Sequence, residues 1–286
     1  MSIIRQLLII ALLHMVVHAN ADDSNVTCTR GVDCPSISPW SVSLAIGIGA
    51  RQNPLVDGDH LPLVILPDIA YYSDRVYFDN GELGVFWSEG SNSQFSFFVA
   101  PNRERANFSF WHPSNILLPV EITFSRFDRI ESQESVSFNE VDRRSWAFDA
   151  GVQWQWFWEN TILRFSFMHD VSGVYEGANA TLSLTHRWRS DSWRFQVTPE
   201  LRWHSSELTN YYYGIREGEV EGRNIQFQGS GGLQPGITVM AIRPVFEDWN
   251  LLIRFGGTHL HSGMADSPLV DKNSVFHGFI GMAYTF

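Results

Sequence analysis

Two groups of histidines have spacings that could support acid–base or metal chemistry. His169 is followed directly by Asp170, and His259 and His261 are separated by one residue. On a β-strand adjacent side chains point to opposite faces, while alternate side chains share a face. The side chains of His169 and Asp170 therefore point to opposite faces and do not form a catalytic dyad. His259 and His261 share a face, but no third metal ligand can be identified for them. We predict no catalytic residue, no metal site and no cofactor, and we expect the protein not to be an enzyme.

The two cysteines, Cys28 and Cys34, follow an N-terminal export signal. Residues 1–21 combine a basic residue, a short apolar run and a small-residue cleavage site, which is the pattern of a secretory signal peptide. Cysteine pairs in exported chains usually form disulfides. We therefore expect a Cys28–Cys34 disulfide in an N-terminal periplasmic segment, residues 22–39. A two-thiolate metal site is the alternative, and the absence of a nearby histidine in the sequence disfavours it.

Charged residues on the polar faces of predicted strands offer a second kind of site. They line either a channel that passes small solutes or a narrow lumen filled by mutually paired side chains. Eight strands make a nearly filled barrel and sixteen leave a channel, so a barrel of about twelve leaves both readings open. The residues concerned are Arg164, Arg194, Arg202, Arg254, Glu121, Asp149, Asp170 and Glu200.

Long alternating segments predict the strands that carry these side chains. In Trp146–Trp158 aromatic residues and Val152 alternate with Asp149, glycine and glutamines, and Trp193–Trp203 repeats this pattern. Alternation at every second position is the signal of a β-strand. Segments of about 10–13 residues match a tilted transmembrane strand of about 9–11 residues. Strands in soluble sheets are usually only about 5–6 residues long.

The composition agrees with an all-β protein that contacts lipid. The chain has 11 Trp, 21 Phe and 8 Tyr, yet its mean hydropathy is slightly negative. Alternating lipid-facing strands produce such a composition without continuous apolar runs. After the signal peptide no run reaches the ~18 apolar residues of a membrane-spanning helix. The net charge of −11 argues against a nucleic-acid partner.

The last predicted strand indicates that the sheet closes on itself. Apolar residues recur at every second position from Ile280 to Phe286, and Gly281 sits five residues before the final aromatic. An open sheet edge in lipid would leave backbone groups unsatisfied. Gly281, Tyr284 and Phe286 are therefore taken as a barrel-closing signal. We expect residues 40–286 to form a closed antiparallel transmembrane β-barrel of about 12 strands.

Four segments between the clear strands are assigned less directly. Leu117–Phe127 and Asn224–Gln234 are predicted as strands from their apolar alternation. Ser205–Arg223 is expected to be a long loop or an extended hairpin, and Ser262–Ser274 is expected to be the loop before the closing strand.

Several motifs, taken in order, resemble the MltA-interacting protein (MipA/OmpV) family. Asn210–Ile215, N-Y-Y-Y-G-I, resembles the family's Y-Y-Y-G motif, and Asp266–Lys272 resembles its D-S-P motif before the last strand. Val197–Trp203 resembles the strand that precedes the tyrosines, and Leu61–Asp79 resembles an early block. The order and spacing agree across residues 43–286. The cysteine-containing segment before them departs from the family's pattern.

The resemblance implies a non-enzymatic protein embedded in outer-membrane lipid. It further implies a scaffold that brings a lytic transglycosylase to a murein polymerase during peptidoglycan turnover. A small-solute channel of the outer membrane is the first alternative. A barrel hydrolase that acts on lipids is a second and less favoured one.

Two segments between strands are the predicted recognition loops. One interpretation is that they meet and form a recognition or latch surface, because loops on a rigid scaffold carry function. The other is that the tyrosine rings are buried against the barrel rim while the serine–proline pair fixes a turn. The residues are Tyr211, Tyr212, Tyr213 and Gly214 in one loop and Asp266, Ser267 and Pro268 in the other.

Overall fold

Twelve antiparallel strands form a closed barrel, in which each strand pairs with its neighbours in sequence and the first strand pairs with the last. The computed structural model describes residues 40–108, 115, 135–246 and 248–286. The predicted all-β closed transmembrane barrel of about 12 strands is confirmed. Cys28, Cys34, Glu121 and the predicted strand Leu117–Phe127 lie outside the described residues.

Strand bounds follow the predicted alternation closely through most of the chain. The 3₁₀ helix spans Arg103–Phe108, and the two α-helices are α1, Ser206–Tyr213, and α2, Ser262–Ala265. The strands are β1 Trp40–Arg51, β2 Leu61–Tyr72, β3 Val76–Asp79, β4 Glu82–Glu89, β5 Ser93–Pro101, β6 Phe148–Trp158, β7 Thr161–Asp170, β8 Ala178–Ser190, β9 Trp193–His204, β10 Gly232–Pro244, β11 Trp249–His259 and β12 Ser274–Thr285.

The prediction of a strand at Asn224–Gln234 is wrong over most of its length. β10 begins only at Gly232, and before it Phe227 makes one isolated bridge to Ile215. The alternation of Ile225 and Phe227 reflects packing against the core of the loops rather than a place in the barrel wall. The short β3, by contrast, pairs with both β2 and β4 and is a strand in its own right.

The loop expected at Ser205–Arg223 contains helix α1. Ser205 is its N-cap, and the Ser205 hydroxyl accepts a hydrogen bond from the Leu208 amide. Serine at this position satisfies one of the free N–H groups of the first helical turn. At the other end the Gly214 amide donates to the Asn210 carbonyl oxygen. A Cβ on Gly214 would lie 2.2 Å from that oxygen, so the helix end requires glycine.

The connections give the barrel two different ends. Among the described residues, the turn end consists of the short connections 73–75, 90–92, 159–160, 191–192, 245–246 and 248, with Trp40 of β1 and Phe286 beside them. In the described part of the chain, the loop end consists of 52–60, 80–81, 102–108, 115, 135–147, 171–177, 205–231 and 260–273. The site residues discussed below lie in the loops of the loop end or on the inner face of the strands.

The Phe279 side chain packs inside the barrel where the first strand pairs with the last. In the β1–β12 ladder Gly47 lies opposite Gly281, and the Phe279 side chain is 2% exposed inside. A Cβ on Gly47 or Gly281 would lie 2.7 Å or 2.5 Å from the Phe279 ring. The glycines therefore provide the space in which this ring lies. Tyr284 pairs with Leu44 nearer the turn end of the same ladder.

The outer face of the wall is apolar. Ile48, Leu233 and Phe255 are among many large apolar side chains that remain more than half exposed, as expected for strands that contact lipid. Near the turn end the Trp156 and Trp158 rings stack at 6.4 Å, and the Trp188 and Phe195 rings at 5.4 Å. Among the described residues, neither α1 nor α2 has the length and apolar character to cross a membrane.

Candidate functional site

The long loops pack together into an apolar core of their own at the loop end. We call this assembly the cap: residues 102–108, 135–147, 171–177, 205–231 and 260–273. Leu208, Tyr212, Tyr213, Met264 and Leu269 are each at most 1% exposed within this core. Burial of a large apolar side chain stabilises a fold by about 1.5–3 kcal/mol. The loops are therefore held in place like a small soluble domain.

The two predicted recognition loops meet within the cap. The Ser267 hydroxyl donates to the Tyr213 carbonyl oxygen at 2.6 Å. Arg144, from a third loop, donates to the Tyr212 carbonyl oxygen at 3.4 Å and to the Gly214 carbonyl oxygen at 2.8 Å. These hydrogen bonds satisfy carbonyl groups at the end of α1 that have no helical partner.

Most of the predicted recognition residues lie inside the cap rather than on its surface. Tyr212, Tyr213, Gly214 and Ser267 are buried. What the two loops present to solvent is Asp266, with half-buried Tyr211 and Pro268 beside it. The Tyr211 hydroxyl accepts a hydrogen bond from the Ser145 amide at 2.7 Å. A recognition role for these residues stays a prediction.

The predicted lumen residues Asp149 and Asp170 hold the 171–177 loop in place. The Asp170 carboxylate accepts from the Ser172 hydroxyl at 2.6 Å and from the Tyr175 amide at 2.7 Å. The Asp149 carboxylate accepts from the Tyr175 hydroxyl at 2.6 Å. His169 is exposed, and its ring Nδ1 lies 2.8 Å from the Asp170 backbone oxygen. The geometry therefore keeps His169 apart from both carboxylates.

A buried charged cluster lies where the 3₁₀ helix enters the lumen. The Glu104 carboxylate accepts from the Tyr213 hydroxyl at 2.6 Å, and it lies 3.5 Å from His204 Nε2 and 3.8 Å from Arg202. Burial by itself would raise the pKa of Glu104, but His204, Arg202 and the tyrosine hydroxyl outweigh burial and hold that pKa below its ordinary value. Glu104 is thus a charged contact between cap and wall.

The same helix is tied to the opposite wall of the barrel. Arg51 of β1 donates to the Asn107 side-chain oxygen at 2.8 Å and to the Asn115 side-chain oxygen at 3.0 Å. Asn107 also donates to the Tyr213 hydroxyl at 2.9 Å. On the other side Arg202 is paired with Glu200 at 2.6 Å. The loop-end half of the lumen is therefore filled by paired side chains.

His259 and His261, the predicted pair that shares a strand face, have different surroundings in the structure. His259 is exposed and its ring is 3.0 Å from the Ser274 hydroxyl, whereas His261 is buried at the N-cap of α2. The His261 ring lies 5.6 Å from the His204 ring, and burial lowers the pKa of His261. No group of three metal-ligand side chains occurs in the described part of the chain.

The turn-end half of the lumen has a different character. Inward-facing residues near the loop end are buried, such as Asp149 at 1% and His204 at 1%. Nearer the turn end, four inward-facing arginines are instead exposed: Arg164, Arg187, Arg189 and Arg194. Exposed side chains on the inner face indicate an open, hydrated vestibule. Among the described residues, the lumen is therefore filled near the loop end and accessible to solvent near the turn end, and the choice between a channel and a filled lumen stays a prediction.

Sequence reasoning missed the 3₁₀ helix and its role as the contact between cap and barrel. One local signal was present: the Asn102 side-chain oxygen accepts from the Glu104 amide at 3.0 Å, as asparagine does at helix starts. The partners of Glu104 could not be identified this way, because Tyr213 is 109 residues further along the chain.

Comparison with known proteins gives a consistent family assignment. The family model described as "MltA-interacting protein MipA" matches residues 44–286. The Escherichia coli K12 protein YiaT, named as an outer membrane protein, is 24% identical over 253 residues, which cover 87% of this chain and 93% of YiaT. The MltA-interacting protein of Escherichia coli K12 is 22% identical over 247 residues, which cover 85% of this chain and 90% of that protein.

Among solved structures, a bacterial polysaccharide outer membrane secretin overlays with a TM-score of 0.40 and 10% sequence identity. The overlay covers 86% of this chain and 98% of that chain.

Proposed function

Since the chain belongs to the MltA-interacting protein MipA family and is an outer-membrane β-barrel, we propose that it is a non-enzymatic scaffold of peptidoglycan turnover. In this proposal it binds a lytic transglycosylase and a murein polymerase on the periplasmic side of the outer membrane. A relative at 22% identity is named for an interaction with MltA, which supports a protein partner.

The orientation of the barrel decides which surface a murein enzyme can reach. Single-chain outer-membrane barrels have short periplasmic turns and longer extracellular loops. The turn end then faces the periplasm. The cap, with Tyr211 and Asp266, then faces outward. The predicted recognition loops would therefore act on extracellular contacts and not on murein enzymes.

The observation that carries the scaffold proposal is the filled loop-end half of the lumen. Glu104, Arg202 and His204 are packed between cap and wall, so a solute route across the barrel is disfavoured. The turn-end surface is then the part of the described barrel that a murein enzyme could contact. Its connections are short, so they present a compact surface to a partner.

A small-solute channel is the second candidate, and the open turn-end vestibule favours it. Arg164 and Arg194 face a lumen that solvent reaches. Planar-bilayer recordings separate the two functions. A closed cap predicts no steady conductance from the intact protein, whereas a channel predicts stable ohmic steps.

The scaffold is tested by co-purification from detergent-solubilised membranes with a lytic transglycosylase and a murein polymerase. The test variant is E159N/D191N, which removes two carboxylates from turns at the turn end. Both residues have positive φ, 32° and 49°, and asparagine tolerates that conformation. The control variant, Glu217→Gln, removes an exposed carboxylate from the cap.

The proposal expects both enzymes to be recovered with the intact protein and with the Glu217 control. It expects reduced recovery with E159N/D191N. Recovery of neither enzyme with the intact protein would overturn the scaffold proposal. Recovery that depended on the cap residue and not on the turns would overturn the assigned surface.

A further inference from the structure

We propose that the turn-end half of the lumen is a binding site for an extended soluble polyanion. The ligand would carry carboxylate or phosphate groups in a row and would enter from the periplasm. This site is separate from the scaffold function and requires no protein partner. Its central feature is a cross-strand pair of inward arginines, Arg189 of β8 and Arg194 of β9.

Two guanidinium groups placed directly opposite each other repel. Arg189 and Arg194 are partners in the β8–β9 ladder, and like charges at such positions are destabilising. Among the described residues, the structure contains no carboxylate paired with either arginine. An anion bound between them would relieve the repulsion. Guanidinium groups suit this role because they bind carboxylate and phosphate in a bidentate geometry.

Two further arginines extend the positive charge along the inner wall. Arg187 lies two residues from Arg189 on β8, or about 7 Å along the strand. Arg164 of β7 lies opposite Ser183, about 20 Å along β8 from Arg189 at ~3.3 Å per residue. A row of this length fits an anion with several charged groups rather than a single phosphate ion.

The neighbours of these arginines are mostly neutral. Arg187 donates to the Gln196 side-chain oxygen at 3.0 Å, and Arg194 donates to the Asn250 side-chain oxygen at 3.2 Å. Amide oxygens orient a guanidinium group without neutralising it. Glu200 is the inward carboxylate on β9, and it is paired with Arg202 at 2.6 Å. The arginines near the turn end thus keep their charge available.

The opposite wall, formed by β2–β4, carries inward-facing carboxylates. Asp68 and Asp79 both accept hydrogen bonds from the Asn80 side chain, and Asp79 also accepts one from the Tyr72 hydroxyl. Glu82 of β4 interacts with Arg164, and its carboxylate accepts from the Tyr77 hydroxyl at 2.6 Å. Arg164 is therefore partly balanced. The arginines nearest the periplasm, Arg189 and Arg194, are expected to contribute most to binding.

The direction of the side chains favours a soluble ligand over a lipid headgroup. Arg189 and Arg194 lie on the inner face, between outward-facing residues such as Trp188 and Trp193. Arg243 of β10, also near this end, faces outward and stacks over the Trp193 ring at 5.6 Å. A lipid headgroup would contact Arg243 before the inward pair. Arg243 therefore provides a matched control.

Binding is tested on the full-length protein in a zwitterionic detergent. The probe is fluorescently labelled hexaglutamate, with glutamate and hexalysine as comparison ligands. The test variant is R189Q/R194Q and the control is R243Q. Slower migration of boiled than of unheated protein on a detergent gel confirms that each variant forms a closed barrel.

The proposal expects hexaglutamate to bind more tightly than glutamate, and hexalysine not to bind. Affinity should fall as salt rises, because added ions screen the charges. R189Q/R194Q should weaken binding by about tenfold, the size expected when two solvent-accessible charge contacts to an anion are lost. R243Q should bind like the parent protein. No hexaglutamate binding, or equal loss in both variants, would overturn the proposal.

A second measurement distinguishes a soluble ligand from lipid. The protein is placed in nanodiscs of phosphatidylcholine with or without phosphatidylglycerol, and hexaglutamate binding is measured in each. Equal binding in both discs supports a soluble ligand. If phosphatidylglycerol occupied the inward pair, hexaglutamate binding would be lost in the discs that contain it. That result would assign the site to lipid and overturn the proposal. Enzyme co-purification with R189Q/R194Q tests the scaffold separately, since that assay does not require hexaglutamate binding.

Discussion

The Ser267 hydroxyl donates a 2.6 Å hydrogen bond to the Tyr213 carbonyl oxygen, joining two loops 54 residues apart in sequence. The same hydroxyl accepts a hydrogen bond from the Leu269 amide at 3.2 Å. Ser267 is 3% exposed and the Tyr213 side chain is fully buried. One side chain thus links the end of α1 to the segment that follows α2.

Replacing Ser267 with alanine is expected to loosen the cap and leave the barrel intact. The Tyr213 carbonyl oxygen would lose its side-chain partner inside the protein, which costs about 1–3 kcal/mol. The measurement is protease cleavage of the loop-end connections in intact cells, together with migration of unheated protein on a detergent gel. Faster cleavage with unchanged migration is the expected outcome.

The control for Ser267 is Ser262→Ala in the same connection. Ser262 is exposed at the start of α2, and exposed substitutions usually change stability by less than about 0.5 kcal/mol. Equal cleavage rates for the two variants would contradict the role assigned to the Ser267 hydrogen bond.

The barrel could be predicted from sequence because its signal is local. The alternation that puts Val42 and Leu44 outward and Ser43 and Ala45 inward is visible in four consecutive residues. A strand between two neighbours needs no more than this pattern and a turn. The pairing of first with last then follows from the cost of an open edge in lipid, and an even number of strands is the rule for single-chain bacterial barrels.

The cap could not be predicted in the same way, because its contacts join residues far apart in sequence. Tyr213 could be singled out as unusual, but nothing local connects it with Glu104 or Ser267. The prediction of a strand at Asn224–Gln234 was wrong for a related reason. Its alternating Ile225 and Phe227 bury against the cap, and the sequence pattern is the same whichever apolar surface covers them.

Gly281→Ala is expected to impair closure of the barrel. The added Cβ would lie 2.5 Å from both the Phe279 ring and the Ile46 carbonyl oxygen, so the ring or the β1–β12 ladder must move. Overpacking of this kind typically costs about 1–3 kcal/mol. The measurement is the fraction of protein that migrates in the folded position after refolding into detergent, and a lower fraction is expected.

Gly236→Ala is the matched control for closure. Its Cβ would meet the Thr258 hydroxyl oxygen at 3.1 Å and the Gly257 carbonyl oxygen at 3.4 Å, which a small shift can accommodate. Both substitutions carry the same gain in strand propensity. If Gly236→Ala reduced the folded fraction as much as Gly281→Ala does, the Phe279 packing would not be what closure depends on.

Acid is expected to open the cap through the Arg144–Glu219 pair. The two charged groups lie 2.6 Å apart with side chains 2% exposed. Burial alone would raise the pKa of Glu219, but hydrogen bonds from the Arg216 amide and Arg144 hold that pKa below its ordinary value. A carboxyl with a depressed pKa stabilises the fold above its unfolded pKa of about 4.3 and stops doing so as pH falls through the folded pKa.

Hydrogen exchange of the cap amides from pH 7 to pH 3, corrected for intrinsic rates, measures this effect. Protection should be constant at neutral pH and fall below about pH 4. Glu219→Gln should lower protection at neutral pH, because a buried arginine left without its partner costs about 3–5 kcal/mol. Asp142→Asn is the control, since its pair with Arg216 is 3.9 Å long and mostly exposed. Protection that fell equally in both variants would contradict the prediction.

Two adjacent tyrosines provide the sharpest test of how the cap is joined to the barrel. The Tyr213 hydroxyl donates to Glu104 at 2.6 Å and accepts from Asn107 at 2.9 Å. The Tyr212 hydroxyl is buried and has no hydrogen-bond partner among the described residues. Both side chains are fully buried. The two positions therefore differ in hydrogen bonding and not in exposure.

Tyr213→Phe should destabilise the cap by about 1.5–3 kcal/mol, because Glu104 would lose a charge-assisted hydrogen bond. Tyr212→Phe should be neutral or slightly stabilising, because it removes a buried hydroxyl whose desolvation nothing offsets. Protection of the α1 amides from hydrogen exchange, measured at neutral pH, should fall in the first variant and not in the second. Equal loss of protection in both would mean that ring packing alone holds α1, and that Glu104 does not join the cap to the barrel wall.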